Sequence, residues 1–199
     1  MASDLRDSWS GEVPVVFTLA ADEVTTYQPP PPYHMCLPRQ SLLPFVLAPV
    51  QEFFRPFAPP FQSEMWLEFQ AAPLRWQIPV GVLFDLLVGD DAEHVLPWQL
   101  TVRFQGFPAS KLLRASMEAA EALLMNALKE SCCLLCGSAQ PAMALSKDAQ
   151  AELRRSLASN DYDAYAPVRR TPVPAYSHRA PAPRRARWLR RSMPTCGEG

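Results

Sequence analysis

Between Met65 and Phe104 the apolar period switches from two to 3.6 and back, and that alternation limits the possible folds more than any other feature. Met65, Leu67 and Phe69 fall on one face of a strand, with Glu68 on the other. Leu74-Arg75-Trp76 reads as a short extended piece after a turn at Ala71 to Pro73. Val80, Leu83, Phe84 and Leu87 then recur at i, i+3, i+4 and i+7, one helical stripe. Pro79 suits the first position of that helix, because it has no N–H to leave unpaired and its φ is already near helical. Gly89-Asp90-Asp91 ends it. Leu100, Val102 and Phe104 alternate with Thr101 and Arg103, a second half-buried strand. Strand, short strand, short helix, strand describes a small α+β domain.

The preceding residues extend this domain. Val13 to Leu19 is β-branched and aromatic and reads as a first strand. Gln28 to Tyr33 holds four consecutive prolines and must be extended; His34 to Pro38 follows as a second strand. Ser41 to Phe57 carries Leu42, Phe45, Val46, Val50, Phe53 and Phe54 near helical spacing, with Ser41 able to cap it. Pro49 inside a helix would cost about 3 kcal/mol, so a kinked or broken helix is expected.

After Pro108 the pattern turns helical. Ser116 is a candidate N-cap, and Glu118 and Glu121 lie early in the helix, where its dipole favours acids. Met117, Ala120, Leu124, Leu128 and Leu135 form its stripe, and Lys129 lies roughly 120° from the stripe's centre at ~100° per residue. Lys129 is therefore expected to point into solvent or skirt the contact edge. Ser146 to Ser159 reads as a shorter helix with Leu153 and Leu157 on one side.

Composition divides the chain. Residues 1–165 carry 11 basic and 19 acidic side chains, a net of −8, whereas residues 166–199 carry eight Arg and one Glu, a net of +7. The formal charge of −1 for the whole chain describes neither part. Twenty-two prolines against seven glycines also require a region that does not pack. That region is residues 166–199, rich in Pro, Ala and Arg and too poor in apolar surface to offset the entropy of ordering. Its Arg184 to Arg191 cluster has the composition that touches acidic lipid, nucleic acid or an import receptor; the default is a solvated tail. The expected organisation is a domain at 13–106, a helical region at 115–160 and a disordered basic tail at 166–199.

Candidate chemistry is sparse. His34, His94 and His178 fall in a strand, an acidic loop and the tail, none in a hydrolase, metalloprotease or phosphate-loop context. Cys132, Cys133 and Cys136 form a cluster with a CxxC, read alternatively as a thiol-redox or metal site. A redox CxxC needs a helix N-terminus, whereas this one falls near a helix end; a zinc site needs a fourth ligand, and none is close. The odd count of five cysteines without a signal peptide argues against a secreted disulfide framework, and no apolar run reaches the ~18 residues of a membrane span. A cytoplasmic protein without metal, cofactor or catalytic residues is expected. Pro30, Pro31 and Tyr33 complete a Pro-Pro-x-Tyr pattern that fits a WW-domain groove, against the plainer reading of a stiff connector with Tyr33 already in the sheet.

Several stretches together carry a resemblance. The segments WLEFQAAPLRWQIPVGVLFDLL and LPWQLTVRFQGFP resemble the first ubiquitin-like domain of the autophagy protein 5 family. Leu5-Arg6-Asp7, Trp9, Gly11 and Asp22 to Thr25 match its opening, and Asn160 to Tyr165 resembles its helical region. The resemblance implies a ubiquitin-like β-grasp domain in a non-catalytic conjugation acceptor. It implies that Lys129, in Leu128-Lys129-Glu130, takes the C-terminal glycine of autophagy protein 12 in an isopeptide bond, with conjugation enzymes supplying the activated thioester. The conjugate would then act like an E3, promoting lipidation of a ubiquitin-like modifier at the phagophore membrane, bound only peripherally. A helix of autophagy protein 16 is the other implied partner, and no nucleic acid is. The match ends near Tyr165, where the family continues into a second ubiquitin-like domain. Without that domain the faces Leu124/Leu128 and Leu153/Leu157 are expected to stay uncovered, with autophagy protein 16 bound weakly.

Overall fold

Strands β1 (Glu12–Leu19), β2 (Tyr33–Pro38), β3 (Trp66–Phe69), β4 (Ala72–Pro73) and β5 (Trp98–Arg103) form one sheet in the order β2-β1-β5-β3-β4. The computed structural model describes residues 6–7, 9–60, 64–89 and 95–170. The central pair is parallel, Val15 opposite Trp98 and Leu19 opposite Val102, and the other ladders are antiparallel. A parallel pair needs a crossover connection. Here that connection holds α1 (Leu43–Val46), α2 (Ala48–Phe54) and α3 (Val80–Val88). The arrangement is the expected ubiquitin-like β-grasp.

The alternation in the strands decides the core. Val13, Val15, Phe17 and Leu19 of β1 point inward with Leu67 and Phe69 of β3 and Trp98, Leu100 and Val102 of β5. Val80, Leu83 and Phe84 of α3 close over them, and the Phe84 and Phe69 rings meet Trp98 edge-on at 5.4 and 5.7 Å. Leu87 departs from its predicted stripe and is exposed, as are Val82 and Leu86. The helix runs nine residues before Gly89 turns it with φ 61°, and its last residue, Val88, still packs on the core, so the buried face follows Val80, Phe84 and Val88 and leaves Leu87 at its margin. Pro79 serves as the residue before the first turn, one position earlier than expected.

The break in the Ser41–Phe57 segment falls at Leu47, which joins α1 to α2 and leaves Pro49 in the first turn of α2, where no ladder donor is lost. The short extended piece at Leu74 to Trp76 is displaced. The turn is at Gln70 and Ala71, both with positive φ, and β4 is Ala72–Pro73. Gln-Ala lacks the Asn-Gly signature of such hairpins. Leu74 still donates to the Leu67 carbonyl at 2.9 Å, and Trp76 buries its ring and donates Nε1–H to the Leu113 carbonyl at 2.8 Å.

A buried carboxylate ties the 3₁₀ turn Ala21–Glu23 to the end of the sheet. Glu23 accepts from the Phe104 N–H at 2.6 Å and the Gln105 N–H at 3.2 Å. Arg103 bridges Asp22 at 3.1 Å and Glu68 at 2.8 Å, and its hydrogen bond holds the Asp22 carboxyl below the usual carboxylate range.

The helical part comprises α4 (Met117–Cys136), α5 (Gln140–Met143), α6 (Lys147–Ala158) and α7 (Tyr162–Arg170). It builds a second core in which Leu153 and Leu157 are buried with Trp9, and Leu124, Leu128, Tyr162, Tyr165 and Val168 pack around them. The two leucine faces expected to lie open therefore cover each other. Trp9, from the polar N-terminal stretch, seals the gap and stacks on Tyr165 with centroids 4.0 Å apart. The expected disordered tail is corrected at its start: residues 166–170 continue α7, because Tyr162, Tyr165 and Val168 all pack against the second core and that packing holds the helix through Pro167. Residues 171–199 lie outside the described residues.

Candidate functional site

The long helix α4 joins the two cores. The Ser116 hydroxyl accepts from the Ala119 N–H at 3.0 Å, the expected cap. The Glu118 backbone N–H, then the Ser116 hydroxyl, hold the Glu118 carboxyl below its ordinary range. Gly137, with φ 73°, ends the helix and donates its N–H to the Cys133 carbonyl at 2.9 Å. Ala119, Ala120 and Leu123 pack against the sheet's core, and Leu124 and Leu128 against the second core. Arg154 of α6 pairs with Glu121 at 2.9 Å.

Burial along α4 corrects the predicted stripe. Ala120 and Cys132 are fully buried, Leu124 and Leu128 are half-buried, and Met117 and Leu135 are exposed. A helix of 20 residues is about 30 Å long at ~1.5 Å per residue. It outruns the four-residue α1 and the twelve-residue α6 against which it lies. In its last turns Cys132 is buried, and Leu134, about 200° further round the helix, is 88% exposed.

Lys129 sits one position past Leu128 and is half-buried, at the edge of the second core's contact. No carboxylate among the described residues pairs with it. Lys111, in the turn after Pro108, and Lys147, at the start of α6, are both exposed. Of the three lysines, Lys129 alone lies within a long helix braced on two sides.

The other candidate sites do not assemble. Tyr33 is in β2 opposite Phe17, its ring half-buried 5.0 Å from Phe53, so the Pro30, Pro31, Tyr33 motif lacks the free aromatic a WW groove takes. Cys132, Cys133 and Cys136 lie in the last two turns of α4, where the dipole opposes a thiolate; burial, then the neighbouring Cys136, pushes the Cys132 thiol up. Among the described residues no group of three His, Cys, Asp or Glu side chains has the arrangement to hold a metal ion, and no helix is long and apolar enough to cross a membrane. His34 is exposed on β2; His94 and His178 lie outside the described residues.

Two further residues matter that the sequence reading did not single out. Trp9 had no apolar neighbour pattern to mark it, and Glu23 looks like any surface acid until Phe104 and Gln105 turn their N–H groups toward it. Only their place in stretches that resemble the family set them apart.

Comparison with known proteins agrees with this architecture. Residues 8–104 match the family described as "Autophagy protein ATG5, UblA domain", and residues 117–174 match "Autophagy protein ATG5, alpha-helical bundle region". The chain belongs to the autophagy protein 5 family. It is 34% identical over 158 residues to autophagy protein 5 of Arabidopsis thaliana, covering 79% of this chain and 46% of that protein. The corresponding protein of Oryza sativa subsp. indica is 35% identical over 165 residues, covering 82% and 43%. Autophagy protein 5 of Dictyostelium discoideum is 40% identical over 86 residues, covering 43% and 22%. The chain thus spans less than half the length of these relatives. The crystal structure of Kluyveromyces marxianus Atg5 superposes with a TM-score of 0.72 over 86% of this chain and 69% of that one, at 22% identity, which shows the shared fold.

Proposed function

We propose that this member of the autophagy protein 5 family works in autophagy as a conjugation acceptor, with Lys129 joined by an isopeptide bond to the C-terminal glycine of autophagy protein 12. One observation carries the reading: of three lysines, Lys129 alone stands on the long helix, in the Leu128-Lys129-Glu130 context, at the edge of the second core's contact. An acceptor amine needs a rigid support more than a catalytic neighbourhood, because the acyl group arrives activated as a thioester on a conjugation enzyme. The chain supplies the nucleophile and does no chemistry of its own.

As the conjugate, the protein promotes lipidation of a ubiquitin-like modifier at the phagophore membrane. It reaches that membrane from the cytoplasm through its partners, among them a helix of autophagy protein 16. The test is reconstitution with the conjugation enzymes and autophagy protein 12. The wild type gains a modifier-sized mass stable to thiols; Lys129→Arg, which keeps the charge but is not acylated, gains none. An adduct that persists in Lys129→Arg and disappears in Lys111→Arg or Lys147→Arg overturns the assignment.

A further inference from the structure

Strand β2 lies at one end of the sheet, and two hydrogen bonds fix which of its backbone groups face out. The Arg39 N–H donates to the Gly11 carbonyl, and the Ala20 N–H to the Val102 carbonyl of β5, both at 3.0 Å. Backbone groups alternate sides along a strand. The odd-numbered residues of β1 therefore face β2, and Tyr33, Met35 and Leu37 face back toward them. His34, Cys36 and Pro38 turn their backbone groups to the open side. Pro38 has no N–H, and its carbonyl accepts from the Ser41 N–H at 3.1 Å. The N–H and C=O of His34 and of Cys36 remain, taken up by no other described residue, and both side chains are exposed.

We propose that this edge pairs antiparallel with the β2 edge of a second copy of the chain, about a two-fold axis through Met35. In that register His34 lies opposite Cys36 of the second copy, and Cys36 opposite its His34. Each pair exchanges two hydrogen bonds, so every outward group of both residues is satisfied in both chains. Moving the axis to His34 sets Cys36 against Pro32, and moving it to Cys36 sets His34 against Pro38; either shift loses a donor. With the axis at Met35 those two prolines fall opposite each other, and neither has an N–H to leave unpaired. The edge is thus complementary to itself, donor to acceptor. Tyr33–Pro38 also carries no acid, lysine or arginine, so two copies approach without like-charge repulsion. On the core face the half-buried Met35 meets its counterpart.

An isologous contact of this kind closes at two chains. The sheet's other end, β4, is two residues long and includes Pro73, so the joined sheet does not grow further there. Prolines at both ends confine the new ladder to two hydrogen-bonded pairs, which makes the dimer weak and reversible. Neither α4 nor Lys129 takes part, so the inference stands apart from the acceptor reading.

The test is sedimentation velocity of the full chain over about a hundredfold range of concentration. The wild type should pass from monomer to dimer and no further. His34→Lys with Cys36→Lys sets lysine opposite lysine in both pairs and should weaken the dimer at least about tenfold. His34→Glu with Cys36→Lys sets opposite charges there and should restore it. Both positions are exposed on the edge, so neither variant disturbs the core. Met35→Cys in a Cys36→Ser background gives an independent reading. Facing residues between hydrogen-bonded pairs have Cα atoms ~4.5 Å apart, within reach of a disulfide. Mild oxidation should yield a cross-linked peptide that joins position 35 to itself. A chain that stays monomeric throughout overturns the proposal, as does a dimer indifferent to the lysine pair or one cross-linked elsewhere than at position 35.

Discussion

The sheet domain and the helical region are held together in different ways. The sheet domain buries Trp98, Phe17, Phe54 and Phe104 completely, with aliphatic residues from β1, β2, β3, β5 and four helices closing around them. The helical region has three buried members in its own core, Trp9, Leu153 and Leu157, and borrows the first from a segment that precedes the sheet. One region is closed by its own alternation of strands and helices. The other depends on a residue about 150 positions away in sequence. Lys129 stands on α4, which reaches both cores, as α6 also does through Ala158 on the sheet side and Leu153 and Leu157 on the helical side.

Removing a ring from each core separates the two. Phe84→Ala deletes the ring that meets Trp98 at 5.4 Å and should cost about 3–5 kcal/mol, a large share of a domain's stability. Its urea midpoint should fall sharply, with loss of the sheet; an unchanged midpoint would mean that α3 does not hold the core. Trp9→Ala should cost about 3 kcal/mol, with the loss confined to one region. Hydrogen exchange should show faster amides in α6 and α7 with those of β1 and β5 still protected. Uniform loss of protection would show that the cores are one cooperative unit, and the comparison would fail.

The smallest effect is electrostatic. Asp22 is held below its ordinary pKa by Arg103, so the folded state favours its charged form. The stabilisation is present above the unfolded carboxylate pKa of about 4 and disappears as pH falls through the lower folded value. Asp22→Asn should therefore lower the urea midpoint slightly at neutral pH and not at all in acid below that range. A difference that persists in acid would assign the effect to something other than the carboxylate's charge.

The same contrast explains what could be read from the sequence. Val80, Leu83 and Phe84 announce a buried helix face because a local period of 3.6 is forced by packing on a sheet, and Trp98 follows from the strand alternation beside it. Pro49 announces the break at Leu47, and Ser116 its cap, because both act within a few residues. Leu87 misled because a stripe does not say which of its residues the partner surface covers, and the surface here takes Val88 instead. The mutual cover of Leu124, Leu128, Leu153 and Leu157 was hidden for the same reason: each helix shows an apolar face, and neither names its partner. The context that marks Lys129 was legible, whereas its half-burial depends on how α4 lies across two cores.

The stacking of Trp9 on Tyr165 also sets an order of events while the chain is being made. Trp9 leaves the ribosome long before Tyr162, Tyr165 and Val168 exist, and at about 5–20 residues per second the wait is on the order of ten seconds. Within that interval β1 and β5 become available to pair, so the sheet has the means to close first. The indole meanwhile stays in water, an adhesive group on a tether, open to chaperones and to neighbouring nascent chains. Only the emergence of α7 withdraws it, and with it the helix carrying Lys129 gains its second support.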